Sequence, residues 1–209
     1  MRITGGTLRG RSLAAPPDAR VRPTSDKVRQ AIFNILGHND FGTGFVLEGV
    51  RACDLFAGTG ALGIEALSHG AAFALLVDDS AESRALIRTN VEALGLTGAT
   101  KIWRRDATRL GPMAAGAGGP FGLVFLDPPY RKGLIAPALA ALRDGGWLEA
   151  GALIVAEMAE DDVVPDADGF RTVGERVYGD TRVIFMQPAP AGQSPGMPHS
   201  NGGARQTTG

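Results

Sequence analysis

Asp127-Pro128-Pro129-Tyr130 is the run of this chain with the most chemical content. Two successive prolines fix φ at neighbouring positions and remove two backbone donors. The result is a stiff corner that offers a carboxylate and backbone carbonyls, with an aromatic ring beside them. An amino group conjugated to a purine is a weak nucleophile, because its lone pair is delocalised into the ring. The Asp127 carboxylate and the Pro128 carbonyl can hold its two hydrogens and direct lone-pair density at an electrophilic carbon, which is catalysis by positioning and electrostatics. Tyr130 can stack on the base, a contact worth roughly 1–3 kcal/mol. No dedicated general base is needed, since the carboxylate can take the proton afterwards.

A second constellation lies upstream. Asp54 is followed by Leu55-Phe56-Ala57-Gly58-Thr59-Gly60-Ala61-Leu62-Gly63. Gly58, Gly60 and Gly63 spell G-x-G-x-x-G, and Asp78 follows at the distance of a ribose-binding acid, so a dinucleotide site is a direct competitor. Charge separates the two readings. A carboxylate at Asp54 repels a pyrophosphate, whereas S-adenosylmethionine carries an ammonium, a sulfonium and a ribose, all served by carboxylates or acceptors. Asp54 suits the amino-acid end, Asp78 (preferred over Asp79) the ribose hydroxyls, and Asp106 the adenine amino group. Phe56, Gly58, Thr59 and Gly60 complete the expected cofactor pocket.

Elements must bring these residues to one place. Short apolar runs predict strands at Val50–Leu55, Phe73–Val77, Lys101–Trp103, Leu123–Leu126, Leu153–Ala156 and Val183–Met186, with helices at 61–68, 81–94 and 134–142. Runs as apolar as LVFL and ALIVA suit strands covered on both faces. Alternating strands and helices predict a mostly parallel α/β sheet with ligands at the carboxyl ends of its strands. Phe170–Val177 and Thr181–Met186, separated by Tyr178-Gly179-Asp180, predict a closing hairpin. Ahead of the sheet, Val28, Ala31, Ile32, Ile35 and Leu36 form one apolar stripe, predicting a helix over Thr24–Leu36 with Thr24 as N-cap and Gly37 as its stop. Gly111–Pro120 reads as a flexible surface loop, and the Pro-, Gly- and Ser-rich tail from Pro188 as disordered.

The chain has 209 residues, 44% hydrophobic and 21% charged, with a net charge of -1. These values suit one soluble domain with a real core. Without an apolar signal core or membrane-length run, the expected location is the cytoplasm. One cysteine and three scattered histidines point away from disulfides and metal. Near-neutral net charge hides an uneven distribution. Residues 1–36 hold seven basic side chains (Arg2, Arg9, Arg11, Arg20, Arg22, Lys27 and Arg29) against Asp18 and Asp26. Lys101, Arg104, Arg105 and Arg109 form a second basic group. Docking to a polyanion depends on such local fields rather than on total charge. Cys53, Trp103 and Trp147 read as packing residues, His38, His69 and His199 lack partners at catalytic spacing, and Glu65 reads equally as a hydrogen-bonding group near the cofactor or as a solvent-facing helical glutamate.

Together these motifs resemble the bacterial 16S rRNA guanine-N2 methyltransferases of the RsmD type. The likeness spans residues 1–187. It rests on Arg2-Ile3-Thr4-Gly5-Gly6 with Arg9-Gly10-Arg11, Arg22-Pro23-Thr24 through Asn34, DLFAGTGALGIEAL (54–67), the Asp127–Tyr130 corner and Tyr178-Gly179-Asp180-Thr181. The resemblance implies a class I S-adenosylmethionine-dependent, Rossmann-like fold. Its sheet would be seven-stranded and mostly parallel, with an antiparallel edge strand and a small basic N-terminal extension. It implies catalysis by Asp127, Pro128, Pro129 and Tyr130, with the methyl going to guanine 966 of small-subunit rRNA. Arg2, Arg9, Arg11, Arg22, Thr24 and Arg29 would meet that RNA. The expected organisation is a basic RNA-binding segment and helix over 1–40, a methyltransferase domain over 41–187 and a tail over 188–209. A monomer that acts on the small subunit or its assembly intermediate, without metal, completes the expectation. Adenine-N6 methylation of DNA or RNA, nicotinamide-dependent oxidoreduction and a catalytically dead RNA-binding assembly factor are the alternatives. The chain departs from the family pattern at Asp78-Asp79-Ser80, where the two acids are adjacent, and at His69, where a basic residue is common.

Overall fold

A computed structural model describes residues 1–16 and 25–189. Its centre is a seven-stranded sheet in the order β3-β2-β1-β4-β5-β7-β6. The strands are β1 (Arg51–Leu55), β2 (Phe73–Val77), β3 (Thr100–Trp103), β4 (Phe121–Leu126), β5 (Leu148–Ala159), β6 (Phe170–Tyr178) and β7 (Thr181–Pro188). β1 to β5 pair in parallel, and the antiparallel pairings are confined to one edge, where β7 runs against both β5 and β6. The expected mixed sheet is therefore present. Gly179 turns the β6–β7 hairpin at φ +60°, a conformation that two-residue hairpin loops demand.

Among the described residues, four α-helices cover the sheet: α1 (Asp26–His38), α2 (Ala61–Ser68), α3 (Ala81–Ala93) and α4 (Ile135–Asp144). Every residue of β4 is buried, as a strand covered on both faces requires. Period-two alternation then divides the core. Cys53, Leu55, Val124 and Leu126 join Leu139, Leu142 and Trp147 on one face, while Ala52, Leu123, Phe125 and Val155 meet Val28, Ile32, Phe33 and Leu36 of α1 on the other. Those four α1 side chains each contribute about 1.5–3 kcal/mol by burial, so α1 is a fixed part of the core. The arm before it is woven in as well, with Ile3 and Leu13 packed beside Ile64, Leu76 and Ile87.

Local details differ from expectation for physical reasons. Ser25, rather than Thr24, caps α1, its hydroxyl accepting from the Val28 N–H; Thr24 lies outside the described residues. Gly37 does not stop that helix, which runs on to His38, whose Nδ1 hydrogen-bonds the Asn34 carbonyl. The Gly111–Pro120 stretch is anchored rather than flexible. Ala117 is fully buried, the Trp147 indole donates to the Gly111 carbonyl, and Met113 N–H donates to the Gly145 carbonyl. β7 continues through Pro188, and the tail from residue 190 lies outside the described residues.

Candidate cofactor and nucleobase site

The strand order reverses between β1 and β4, and a crevice opens there at the carboxyl ends of the strands, as open α/β sheets dictate. Register builds the site. Leu55 pairs with Val77 on one side and Leu126 on the other, so Asp78 and Asp127, the next residues of those two chains, emerge side by side with the turn after β1. A cavity of about 560 Å3 results. It is lined by Asp54, Phe56, Gly58, Thr59, Asp78, Asp79, Asp106 and the whole Asp127–Tyr130 corner, with Arg105 as the basic side chain among them. Volumes of about 300–1,000 Å3 hold nucleotide-sized ligands. Of the expected pocket residues only Gly60 does not face the cavity. It caps α2 at φ +79°, a backbone conformation suited to glycine, and so sets the turn rather than touching a ligand.

Asp54 is the electrostatic centre of the cavity. It is 1% exposed, its Oδ2 accepts the Gly63 N–H at 2.9 Å, and its Oδ1 has no hydrogen-bond partner among the described residues. Burial pushes its carboxyl up to about 7; the Gly63 bond pulls the other way and the Asp78 charge adds to the rise. A buried, half-satisfied carboxylate is paired by an incoming cation, and a primary ammonium has the charge and the donors. Gly63 eases this arrangement: a Cβ there would lie 2.3 Å from Leu76 Cδ2 and 3.3 Å from Asp54 Cβ, so a larger residue would force the buried Leu76 side chain to shift and crowd the acid.

Asp78 and Asp106 are held by the backbone around them. Asp78 Oδ2 accepts the Gly58 N–H at 2.8 Å and Oδ1 accepts the Ser80 N–H at 2.9 Å, which ties the end of β2 to the glycine turn. Asp79 also lines the cavity but is exposed. Asp106 Oδ1 accepts the Thr108 N–H and hydroxyl, bonds that hold its carboxyl below the ordinary range. Phe56 adopts φ +64°, a strained conformation for a phenylalanine, at the point where the chain leaves β1 for the cavity.

At the opposite wall Pro128 is buried, and Asp127 and Tyr130 are half-buried. The Tyr130 hydroxyl donates to Glu157 Oε1 at 2.5 Å and lies 3.1 Å from Thr181 Oγ1. Tyr130 also borders a second cavity of about 350 Å3, beyond the corner, lined in part by Leu134, Glu157 and Met158.

The basic arm divides. Arg2, Arg9 and Arg11 are exposed, while Arg22 and Thr24 lie outside the described residues. Arg29 corrects the expectation of an RNA contact. It is fully buried, its Nε donating to Glu65 Oε2 at 2.9 Å and its Nη2 to Asp26 and the Arg2 carbonyl. Glu65 likewise is no surface residue: it is fully buried and accepts Thr4 N–H, Thr4 Oγ1, Gly5 N–H and Arg29. Asn90 carries no structural role in the sequence reading. Buried on α3, it binds both backbone groups of Ala14 and donates to the Thr59 carbonyl, joining arm to glycine turn. An apolar stripe read from sequence leaves such a polar residue unassigned, because its partners lie on distant segments.

Comparison with known proteins places these features in context. The family model described as conserved hypothetical protein 95 matches residues 1–187. Ribosomal RNA small subunit methyltransferase D of Escherichia coli is 36% identical over 196 residues, 93% of each chain. A Bacillus subtilis relative, YlbH, is 37% identical over 188 residues, covering 90% of this chain and 98% of its own. Among solved structures, Escherichia coli YhhF superposes with a TM-score of 0.75 at 31% identity over 91% of this chain and 98% of that one.

Proposed function

The chain belongs to the conserved hypothetical protein 95 family of methyltransferases, and on that premise we propose that it methylates N2 of a guanine in 16S rRNA, using S-adenosylmethionine. One observation carries the reading: the acid-lined glycine turn and the Asp127–Tyr130 corner are walls of a single cavity. The residues fit the cofactor. Asp54 Oδ1, buried and unsatisfied, suits its ammonium, Asp78 its ribose hydroxyls and Asp106 its adenine amino group. When bound, S-adenosylmethionine supplies an electrophilic methyl on a sulfonium. The cavity's carboxylates favour that positive charge and disfavour the pyrophosphate of a nicotinamide cofactor.

The chain's own residues then act on the amine. Asp127 and the Pro128 carbonyl accept its two hydrogens, and Pro128 and Pro129 keep those acceptors from rotating away. Asp127 receives the proton released on transfer. Tyr130 stacks on the base, which leaves its helix or loop to reach the corner. The partner is small-subunit rRNA, met by a monomer in the cytoplasm, with exposed Arg2, Arg9 and Arg11 on its phosphates. Guanine 966 is the proposed target.

Methyl transfer to small subunits lacking the modification, followed by nucleoside analysis and mapping, tests the proposal. N2-methylguanosine at one site is expected. N6-methyladenosine would replace guanine by adenine as the substrate, and calorimetric binding of NAD without S-adenosylhomocysteine would remove the methyltransferase reading.

A further inference from the structure

Tyr130 is held at its far end by two buried groups from separate strands. Glu157 of β5 is 5% exposed and Thr181, the first residue of β7, is 6% exposed. The β5–β7 register pairs Glu157 with Val183 and Ala159 with Thr181, so Glu157 and Thr181 are diagonal neighbours on one face of the sheet. Their side chains converge on one phenol oxygen, at 2.5 and 3.1 Å. Pro129 stiffens the backbone immediately before the tyrosine, so the ring is constrained at both ends.

This arrangement limits what Tyr130 can do. Its hydroxyl is engaged inside the protein, which leaves the ring as the surface presented to ligands. Tyr130 lines both the 560 Å3 and the 350 Å3 cavities. Burial, the Glu157 charge and the bond to Glu157 hold the phenol protonated well above its ordinary range, against an opposing effect of Thr181. The hydroxyl therefore rests protonated near neutral pH, committed to Glu157 and Thr181. Carrying a carboxylate to a nearly solvent-free position on β5 has a desolvation cost that an apolar residue would avoid.

We propose that Glu157 and Thr181 are positioning residues of the transferase, which set the Tyr130 ring at the angle that stacks on the target base. The role rests on the methyltransferase reading above. It acts through Tyr130 alone, so its signature is loss of turnover without loss of cofactor affinity, and dependence on the tyrosine hydroxyl.

The test uses the full chain with Glu157→Gln, Thr181→Val, Tyr130→Phe and the Tyr130→Phe/Glu157→Gln pair. Three quantities are measured: kcat on unmodified small subunits, S-adenosylhomocysteine affinity, and the titration of tyrosine Cζ by 13C NMR. The chain has only two tyrosines, Tyr130 and Tyr178, so Tyr178→Phe assigns the signals. Glu157→Gln is expected to lower kcat about tenfold, to leave the Kd within about twofold, and to bring the Tyr130 titration down towards the ordinary range. Thr181→Val, which keeps shape and strand propensity, should lower kcat by a smaller factor. In the Tyr130→Phe background, Glu157→Gln should change kcat by less than about twofold. Additive losses, a parallel loss of cofactor affinity, or unchanged kcat in Glu157→Gln with a shifted phenol would overturn the proposal in an enzyme that is otherwise active. A wild-type protein with the raised phenol titration but no transfer to rRNA guanine would overturn the functional reading, and the positioning role with it.

Discussion

Helix α2 separates two buried carboxylates that have opposite surroundings. Glu65, on the arm side, is saturated by Thr4, Gly5 and Arg29, with His69 Nε2 at 3.6 Å. Burial pushes its carboxyl up, but the neighbouring His69 ring, hydrogen bonds from Thr4 and Arg29 and the Arg29 charge together hold it below its ordinary value. Asp54, on the cavity side, has one N–H on one oxygen and, among the described residues, no partner on the other, and burial raises its carboxyl to about 7. The lesson is one of accounting for partners. A buried charge whose partners all lie within the chain belongs to the scaffold, and one left half-satisfied beside a cavity is matched to a ligand.

The largest expected effect lies on the scaffold side. Glu65→Ala removes the buried acceptor shared by Thr4, Gly5 and Arg29 Nε, while Arg29 keeps its bond to Asp26, and should destabilise the ligand-free protein by about 3–5 kcal/mol in urea unfolding. A loss below 1 kcal/mol would mean that Arg29 finds water, and the contrast between the two acids would collapse.

On the cavity side, Asp54→Asn keeps the size and the Gly63 bond but removes the charge. S-adenosylhomocysteine affinity should fall about 10- to 100-fold, as loss of a charge-assisted pair implies. Meanwhile the ligand-free Tm at pH 8 should hold or rise, since a costly buried charge has gone. A drop in Tm of the Glu65 kind would make Asp54 a scaffold residue as well.

Linkage to pH sharpens the contrast. Because Asp54 ionises less readily folded than unfolded, its contribution to ligand-free stability is present below pH 4 and is lost as pH rises through about 7. A bound ammonium favours the carboxylate, so cofactor binding should release protons near pH 6 and tighten towards pH 8, read by calorimetry in buffers of different ionisation enthalpy. Glu65 behaves oppositely: its contribution is present above the ordinary glutamate value and disappears as pH falls through its lowered one.

The smallest effects belong to exposed groups. Neutralising Arg2, Arg9 and Arg11 together should flatten the salt dependence of rRNA binding by about 0.7–0.9 per lost phosphate contact, with cofactor affinity unchanged. Asp79→Asn should weaken cofactor binding less than Asp78→Asn, because only Asp78 is locked to the glycine turn; equal effects would move the ribose role to Asp79.

Much of this site was legible in the residues. The glycine turn, the four strand-end acids and the proline corner were all located, because strands with period-two burial deliver successive chain ends to one sheet edge. The arm was read less well. Arg29 reads as an RNA contact and is buried instead, and Gly5 and Gly6 read only as motif glycines, yet a Cβ on Gly6 would lie 1.8 Å from the Ser68 carbonyl oxygen and one on Gly5 2.5 Å from His69 Nε2. These residues are kept small, or charged, by packing against α2.

Sequence alone determined the order of strands and helices, the proline-stiffened corner with its carboxylate and the acidic character of the cavity, since each follows from local spacing and residue type. Tertiary structure alone decided which charges are cancelled. Whether Arg29 meets a phosphate or Glu65, and whether Tyr130 offers a hydroxyl or a ring, depends on groups 27 to 51 residues away. Electrostatic and hydrogen-bond energies are set by distance and burial in space, and no one-dimensional pattern contains either.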